Sequence, residues 1–499
     1  MTFTAHKLDI LTNDQYICLL NKADADKYGI VAGDSLYITT QTHKTGITLF
    51  VDITNNLVER GVIGLFNDVW LNHRFHEGET VEAQISHDGK SAKIISEKLQ
   101  GKKLDKHEIE EVINDIAKGE INPVLTSAWV CAGFAPGFDE REIYDMTLAI
   151  ANSGDKLSWN GKIAVDKHSI GGVGGKAITP IVVSILANIP GIIVPNTSSR
   201  AITTASATTD MLESIMNMSF SLDELYKFIE NENAFMVWGG GIDLAPADDK
   251  IIKVQKLIGI ESNDKVISSI IAKKIAQGIT HMVLDIPYGK YAKVKTKSEA
   301  IEFSHAFRKL ASDFGIQVVD HIRQVFGIDG NALGPNLEIR EVLRVFEGDL
   351  DASRDIISDS LLMAAKVVDL VGIVPTGSSI DFVKDILTSE KAESKFRDIV
   401  KMQGGNFDIS SKKMKLGHIQ VDITADKSGD IAYIVSRKAF EICKALGNPH
   451  VKEAGIYFWK KTGETVKVGD TLMTLYAKNE SRMNLALKVL GKNDPFEIV

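Results

Sequence analysis

Apolar and polar positions change their spacing several times along the chain. Up to about residue 95 they form short β-rich runs, QYICLL, DSLYITT, ITLFVDIT, GVIGLF and TVEAQIS, separated by the turn-formers AGD, KTG and HEGE. Strands so short and so evenly spaced predict a small closed barrel rather than part of a parallel sheet. From Asp105 the spacing becomes helical. HEIEEVINDIAKGEI places apolar residues on one helical face up to a break at Asn122-Pro123, and DEREIYDMTLAIANSG predicts a second helix ending at Gly154.

Beyond residue 160, strand and helix patterns alternate. Lys162 to Val165 reads as a short buried strand and Thr179 to Asn188 as an apolar helix. After Asp210, MLESIMNMSFSLDELYKFIEN predicts two helices broken near Ser219, the second opened by Ser221 with Glu224 completing a capping box. FMVWGGGIDLAPADD is turn-rich, DKVISSIIAKKIAQG is helical, and HMVLDIPYGKYAKVKT runs from a buried strand into a turn. Residues 298–395 alternate helices with the short apolar strands IQVVD and GIVP, an α/β pattern. Gly404-Gly405-Asn406 reads as a linker, DIAYIVSRKAFEICKALG as a helix, and GIYFWKKTGETVKVGDTLMTLYA as hairpins. The run GETVKVGDTL resembles the turn of a biotinyl-like sandwich, but a carrier domain also needs a lysine at a hairpin tip flanked by apolar residues such as methionine, which is not found, so this domain reads as structural.

The chemistry gathers in the turn after Val165, which holds Gly171, Gly172, Gly174 and Gly175. Glycine lets backbone N–H groups approach a ligand, and the helix that follows offers unpaired N–H groups at the positive end of its dipole, so the turn reads as an anion cradle. A Walker A loop fails at Ile170 and Ala177. The dinucleotide fingerprint fits Gly172, Gly174 and Ala177, but Pro195 and Asn196 stand where a ribose-binding acid belongs. A phosphate site of another kind remains. From Thr197 to Asp210, eight of fourteen residues are Ser or Thr, grouped around Arg200. Hydroxyls and a forked guanidinium suit phosphate and sugar oxygens, the plainer alternative being a polar turn and helix cap. Asp248 and Asp249 diverge if helical, so they read as a charged turn or as partners of lysines rather than a catalytic pair.

Composition narrows the classes. A length of 499 residues predicts two to four domains, and 57 basic against 66 acidic residues argues against a nucleic-acid surface. Cys18, Cys131 and Cys443 form no metal or disulfide pattern, as in a reducing cytoplasm. His73 and His76 read as surface loop histidines, because HEGET lacks the second histidine of a zincin, and no metal site is expected. The start MTFTAHKLDI shows no secretory pattern and no apolar run is long enough to span a membrane, so a cytoplasmic enzyme is expected.

The segments DKHSIGGVGGK, TSSRAIT and TTASATTDMLES resemble the signature of the thymidine and pyrimidine-nucleoside phosphorylases. WGGGIDLAPADDKII and AKKIAQGITHMVLDIPYGKYAKV are similar to the longer branch that holds the archaeal AMP phosphorylases. The resemblance implies an α/β protein with four domains. They are an N-terminal β-barrel-like domain (1–95), a small helical domain (96–165, completed by about 240–277), a phosphate-binding domain around a central mixed or parallel sheet (166–403), and a C-terminal α+β domain (404–499). It implies phosphorolysis, in which inorganic phosphate attacks C1′ of a nucleoside or nucleotide and the base departs. No cofactor is expected beyond phosphate as co-substrate. The expected partners are a nucleotide or nucleoside, phosphate, and further copies of the chain in a homodimer or higher homo-oligomer, with no nucleic acid and no membrane.

By the same resemblance, Lys167, Ser169, Gly172, Ser198 and Thr208 hold phosphate. Ser199, Arg200, Ala201, Ile202, Thr203, Thr204 and Lys293 hold the sugar and its 5′-phosphate, and Ser269 and Lys273 face the base. The catalytic candidates are His168 and Glu261, the latter standing where AMP phosphorylases carry an Asp in an S-I-D-P segment. Glutamate reaches about an ångström further and needs a raised pKa to donate its proton. The chain also departs from the branch in GGVGGKA and TTASATTD, which line the sugar and phosphate pocket. SSRAITTASAT differs from the thymidine enzymes' S-G-R-G-L-G-H-T-G-G-T, which makes a nucleoside 5′-monophosphate the leading substrate. The alternatives are a pyrimidine-nucleoside phosphorylase and a non-catalytic nucleotide-binding protein.

Overall fold

The computed structural model describes the chain apart from residues 13–15, 41–45, 74, 87–88, 135–136, 176, 202–203 and 261. It divides into two compact units, Met1–Gly154 with Ala245–Ala272, and Asp155–Leu244 with Lys273–Val499.

In the first unit the short runs form strands β1 (Thr2–Leu8), β2 (Ile17–Asn21), β3 (Ser35–Thr40), β4 (Ile47–Thr54), β5 (Val62–Phe66) and β6 (Thr80–Ser86), which close into a barrel in the order β1-β5-β2-β4-β3-β6. Alternate residues such as Leu36, Ile38, Leu49 and Ile63 fill it completely, as a barrel this small requires. His73 ends the helix Asn67–His73 and packs edge-on to Tyr16 at 5.0 Å, so only His76 is the exposed loop histidine expected.

The helical part begins with Lys90–Leu99 and Lys106–Lys118. The latter stops at Gly119, in the left-handed conformation, and Asn122-Pro123 starts the next helix instead of breaking this one. Asn122 accepts the Leu125 N–H at 2.8 Å, and Pro123, which has no N–H to lose, occupies the first turn. That helix, Pro123–Cys131, is closed by Lys265, whose ammonium donates to the carbonyls of Trp129 and Val130 at 2.8 and 2.9 Å. Burial pushes the Lys265 pKa down to about 7.

The second unit is built on five parallel strands, β7 (Ile163–Ser169), β8 (Ile192–Ser198), β9 (Ala234–Trp238), β10 (His281–Tyr288) and β11 (Gln317–Gln324), in the order β11-β10-β7-β8-β9. The helix Ile178–Leu186 is buried at all nine positions, which is why its sequence, ITPIVVSIL, is apolar on every face apart from Thr179 and Ser184. GIVP is no strand: Gly372 ends the helix Arg354–Val371 in the left-handed region, and Ile373–Pro375 is irregular chain. The C-terminal strands are β12 (Ala332–Leu333), β13 (Ile419–Thr424), β14 (Gly429–Ile434), β15 (Gly455–Phe458), β16 (Thr465–Val466), β17 (Thr471–Ala477) and β18 (Phe496–Ile498). They form one sheet β12-β15-β17-β13 and another β16-β14-β18. DIAYI therefore belongs to a strand, and the helix starts only at Ser436. Its half-apolar alternation satisfies either period over so short a stretch. No described helix is long and apolar enough to cross a membrane.

Candidate functional site

Strand β7 lies at the centre of the parallel sheet, and ligands of such sheets collect beyond the carboxyl ends of the strands. The strand runs four residues past the sequence expectation, to Ser169, so Asp166, Lys167, His168 and Ser169 are fixed by the ladder with β10 rather than carried on a loop. β8 pairs with β7 in parallel, Ile163 opposite Ile192, and both strands are seven residues long. Ser169 and Ser198 therefore end their strands at the same level, and the glycine turn and the hydroxyl-rich segment leave the same edge of the sheet.

Beneath them lies a buried polar network. The Asp166 carboxylate, fully buried, accepts from Asn196 Nδ2 at 2.7 Å and from Lys274 Nζ at 2.5 Å. Lys274 also donates to Gln277 at 2.9 Å, and the Gln277 amide donates to Thr197. The network joins β7, β8 and the end of the helix Asn263–Ala276, and removing one charge of such a pair typically costs ~3–5 kcal/mol.

A second charged chain supports the glycine turn. Arg323 on β11 donates to Asp285 at 2.8 Å and to Asp329 with two bonds of 2.7 Å, and Asp359 lies 3.3 Å from the same guanidinium. Burial opposes ionisation of Asp285, but Arg323, Lys167 and a hydrogen bond from Ser169 outweigh it and hold the carboxyl at about 2. The single Ser169 hydroxyl proton thus points to Asp285, while its oxygen lies 3.4 Å from the Gly171 N–H. It becomes available to an anion only by rotating away.

The four glycines divide into two pairs. Gly171, Gly172 and Gly175 all have φ between 83 and 87°, a region costly for other residues. A side chain on Gly175 would run into the Asp329 carbonyl, and one on Gly174 would meet Leu333 and Phe440, so these two glycines allow the turn to pack against the chain. Gly171 faces open space, and Gly172 lies against the backbone of Lys293. Only Gly171 and Gly172 match the cradle read from the sequence.

His168 is half-buried at the end of β7. Burial, then Lys274, Lys167, Lys273 and Lys293, push its pKa well below the usual imidazole range, so the ring is neutral at pH 7. Four lysines thus bear on one point beside the glycine turn. Lys167 is buried, with its ammonium 3.4 Å from Thr179 Oγ1 on the following helix.

The hydroxyl-rich segment folds back over a short helix, Thr208–Leu212. The Asp210 carboxylate accepts the N–H groups of Ala201 and Ala207 at 2.7 and 2.8 Å, and Ser198 and Thr209 share a hydrogen bond of 2.7 Å. Thr204 donates to the Ser206 carbonyl, Thr208 is buried and Ser199 is exposed. Arg200 is engaged: it donates to Glu213 at 2.7 Å and its guanidinium lies 3.9 Å above the Trp238 ring. A ligand would have to compete with Glu213 for it. Ile202, Thr203 and Glu261 lie outside the described residues. Ser269 belongs to the first unit, where its hydroxyl donates to Asp248 at 2.8 Å. Asp248 is buried in the first turn of the helix Pro246–Ile258, so it is not part of a charged turn.

Sequence reasoning missed Asp166, Lys274, Gln277, Asp285, Arg323 and Asp210. Of these, only Asp166, directly before Lys167, and Lys274, beside Lys273, stood next to a recognised candidate. Among the described residues no cluster of three or more His, Cys, Asp or Glu could hold a metal ion.

Known proteins carry the same sequence features. A family model described as the helical bundle domain of a glycosyl transferase family matches residues 92–154, and one described as the pyrimidine nucleoside phosphorylase C-terminal domain matches residues 445–496. The chain is 36% identical to AMP phosphorylase from Thermococcus kodakarensis, covering 97% of this chain and 95% of that one. It is 32% identical to AMP phosphorylase 1 from Archaeoglobus fulgidus, over the same shares. The crystal structure of anthranilate phosphoribosyltransferase from Thermus thermophilus shares the fold, with a TM-score of 0.51 and 15% identity over 62% of this chain and 99% of that one. The chain therefore belongs to the pyrimidine nucleoside phosphorylase family of pentosyl-transferring enzymes and is AMP phosphorylase-like.

Proposed function

We propose that the chain cleaves the N-glycosidic bond of a nucleoside 5′-monophosphate such as AMP, CMP or UMP with inorganic phosphate, giving free base and ribose 1,5-bisphosphate. The observation that carries this reading is the end of β7, where Lys167, His168 and Ser169 lead into Gly171, which faces open space, and Gly172, which lies against Lys293. Two phosphate groups must be held near one sugar, and concentrated positive charge with backbone donors offsets their desolvation and mutual repulsion. In this reading Lys167, Ser169, Gly172, Ser198 and Thr208 bind the attacking phosphate. Ser199 to Thr204 and Lys293 bind the 5′-phosphate and sugar, and Ser269 and Lys273 bind the base.

One phosphate oxygen forms a bond to C1′ as the C1′–N bond breaks, and Glu261 passes a proton to the departing base. Neutral His168 donates or accepts a hydrogen bond at the attacking phosphate without adding charge. Phosphate is the only co-substrate, and the enzyme works in the cytoplasm as a homo-oligomer.

The test is phosphate-dependent release of base from AMP, CMP and UMP and from the matching nucleosides. Release only from the 5′-monophosphates is expected. Release from nucleosides alone would replace the reading by a nucleoside phosphorylase, and no release from any would leave a nucleotide-binding protein. Lys167→Ala and Ser199→Ala should each lower turnover by more than about 100-fold with an unchanged circular dichroism spectrum. Glu261→Gln should slow the poorest leaving bases most.

A further inference from the structure

We propose that Glu497 and Tyr291 are positioning residues that set the enzyme's grip on a phosphomonoester at the sugar's 5′ carbon, acting through Lys293. This rests on the nucleotide reading above, and it gives the C-terminal sheet a part in substrate choice. Lys293 lies in the turn between β10 and the helix Lys297–Asp313. The turn is closed by bonds from Gly289 N to Val294 O, 3.0 Å, and from Ala292 N to Gly289 O, 3.1 Å.

On one side its backbone touches the anion loop: a Cβ on Gly172 would lie 3.0 Å from both N and Cβ of Lys293. On the other side it is gripped by β14 and β18. The Tyr291 ring meets Tyr433 of β14 edge-on at 5.6 Å and 87°, and its hydroxyl donates to Glu497 of β18. Lys290 donates to the same carboxylate at 2.9 Å, with its ammonium 4.7 and 5.0 Å from the Tyr291 and Tyr433 ring centres. Glu497 stands opposite Tyr433 in the β14–β18 ladder, so the carboxylate is held by a sheet and not by a loop. Hydrogen bonds from Tyr291 and Lys290 keep it ionised by lowering its pKa.

Binding through a lysine costs backbone as well as side-chain freedom, and a turn already fixed by its neighbours meets the backbone part in advance. Releasing the turn should therefore weaken whatever Lys293 contacts and spare what Lys167 contacts. Glu497→Ala and Tyr291→Phe in the full chain should raise KM for the nucleoside 5′-monophosphate about fivefold to tenfold. The KM for inorganic phosphate and kcat should stay within about twofold of wild type. Glu497→Gln, which keeps an acceptor for Tyr291 but loses the charge, should fall between.

Hydrogen exchange gives a readout that needs no turnover: amides of residues 289–294 should exchange faster in Glu497→Ala, while those of β7 and β8 do not change. An unchanged nucleotide KM overturns the proposal, as does an equal loss on nucleotide and phosphate. A wild-type enzyme that uses nucleosides alone overturns the substrate reading and with it the phosphomonoester role. Unchanged exchange at 289–294 overturns the clamp itself, whatever the substrate.

Discussion

His168 illustrates how one side chain reports on the whole anion site. Its depressed pKa means that the unfolded chain takes up a proton near pH 6.5 while the folded chain does so only at lower pH. Stability from this group is therefore lost as pH falls through that window, because unfolding binds a proton there. Bound sulfate, a dianion that carries no proton of its own near pH 6, offsets the surrounding charge and raises the imidazole pKa, so its binding at about pH 6 should draw in a proton. Titration calorimetry in two buffers of different ionisation enthalpy should show this uptake, and His168→Gln should remove it. Lys167, His168 and Ser169 were singled out in the sequence by the resemblance of DKHSIGGVGGK to the phosphorylase signature. Asp166 and Lys274 were not, because a pair 108 residues apart is made by strand packing and has no local pattern.

At the scale of elements, the glycine turn separates two roles that its sequence writes with one letter. Gly171→Ala meets only the cost of a positive φ, about 1 kcal/mol, since open space surrounds it. Gly175→Ala meets that cost and a backbone carbonyl, and should lower stability by about 3 kcal/mol or more. Thermal denaturation of the two variants, with and without sulfate, should show a small shift for the first and a large one for the second. Equal shifts would contradict the division of the loop. The barrel and the capping box at Glu224 were readable from strand spacing and a cap, and the buried helix after the turn from the length of its apolar-rich run. GIVP and DIAYI were misread, because stretches of four or five partly apolar residues satisfy a helix end and a strand equally well.

For the whole molecule, a net charge of −9 coexists with four lysines acting on one imidazole. The attraction that draws phosphate to that spot works against the protein's overall field, and salt screens both. Raising an inert salt from about 0.05 to about 0.5 M should increase the KM for phosphate several-fold, with kcat little changed. A flat response would mean that hydrogen bonds rather than charge hold the anion. The first unit has a further property. It is assembled from Met1–Gly154 and the distant segment Ala245–Ala272, whose Lys250 and Lys265 donate to the backbone of Ala117, Trp129 and Val130. During synthesis the ribosome delivers some ninety residues of the other unit before that segment emerges. The nascent helices must wait half-covered for their last partners, so a gene fragment cut after Gly154 should yield a sticky, chaperone-bound product.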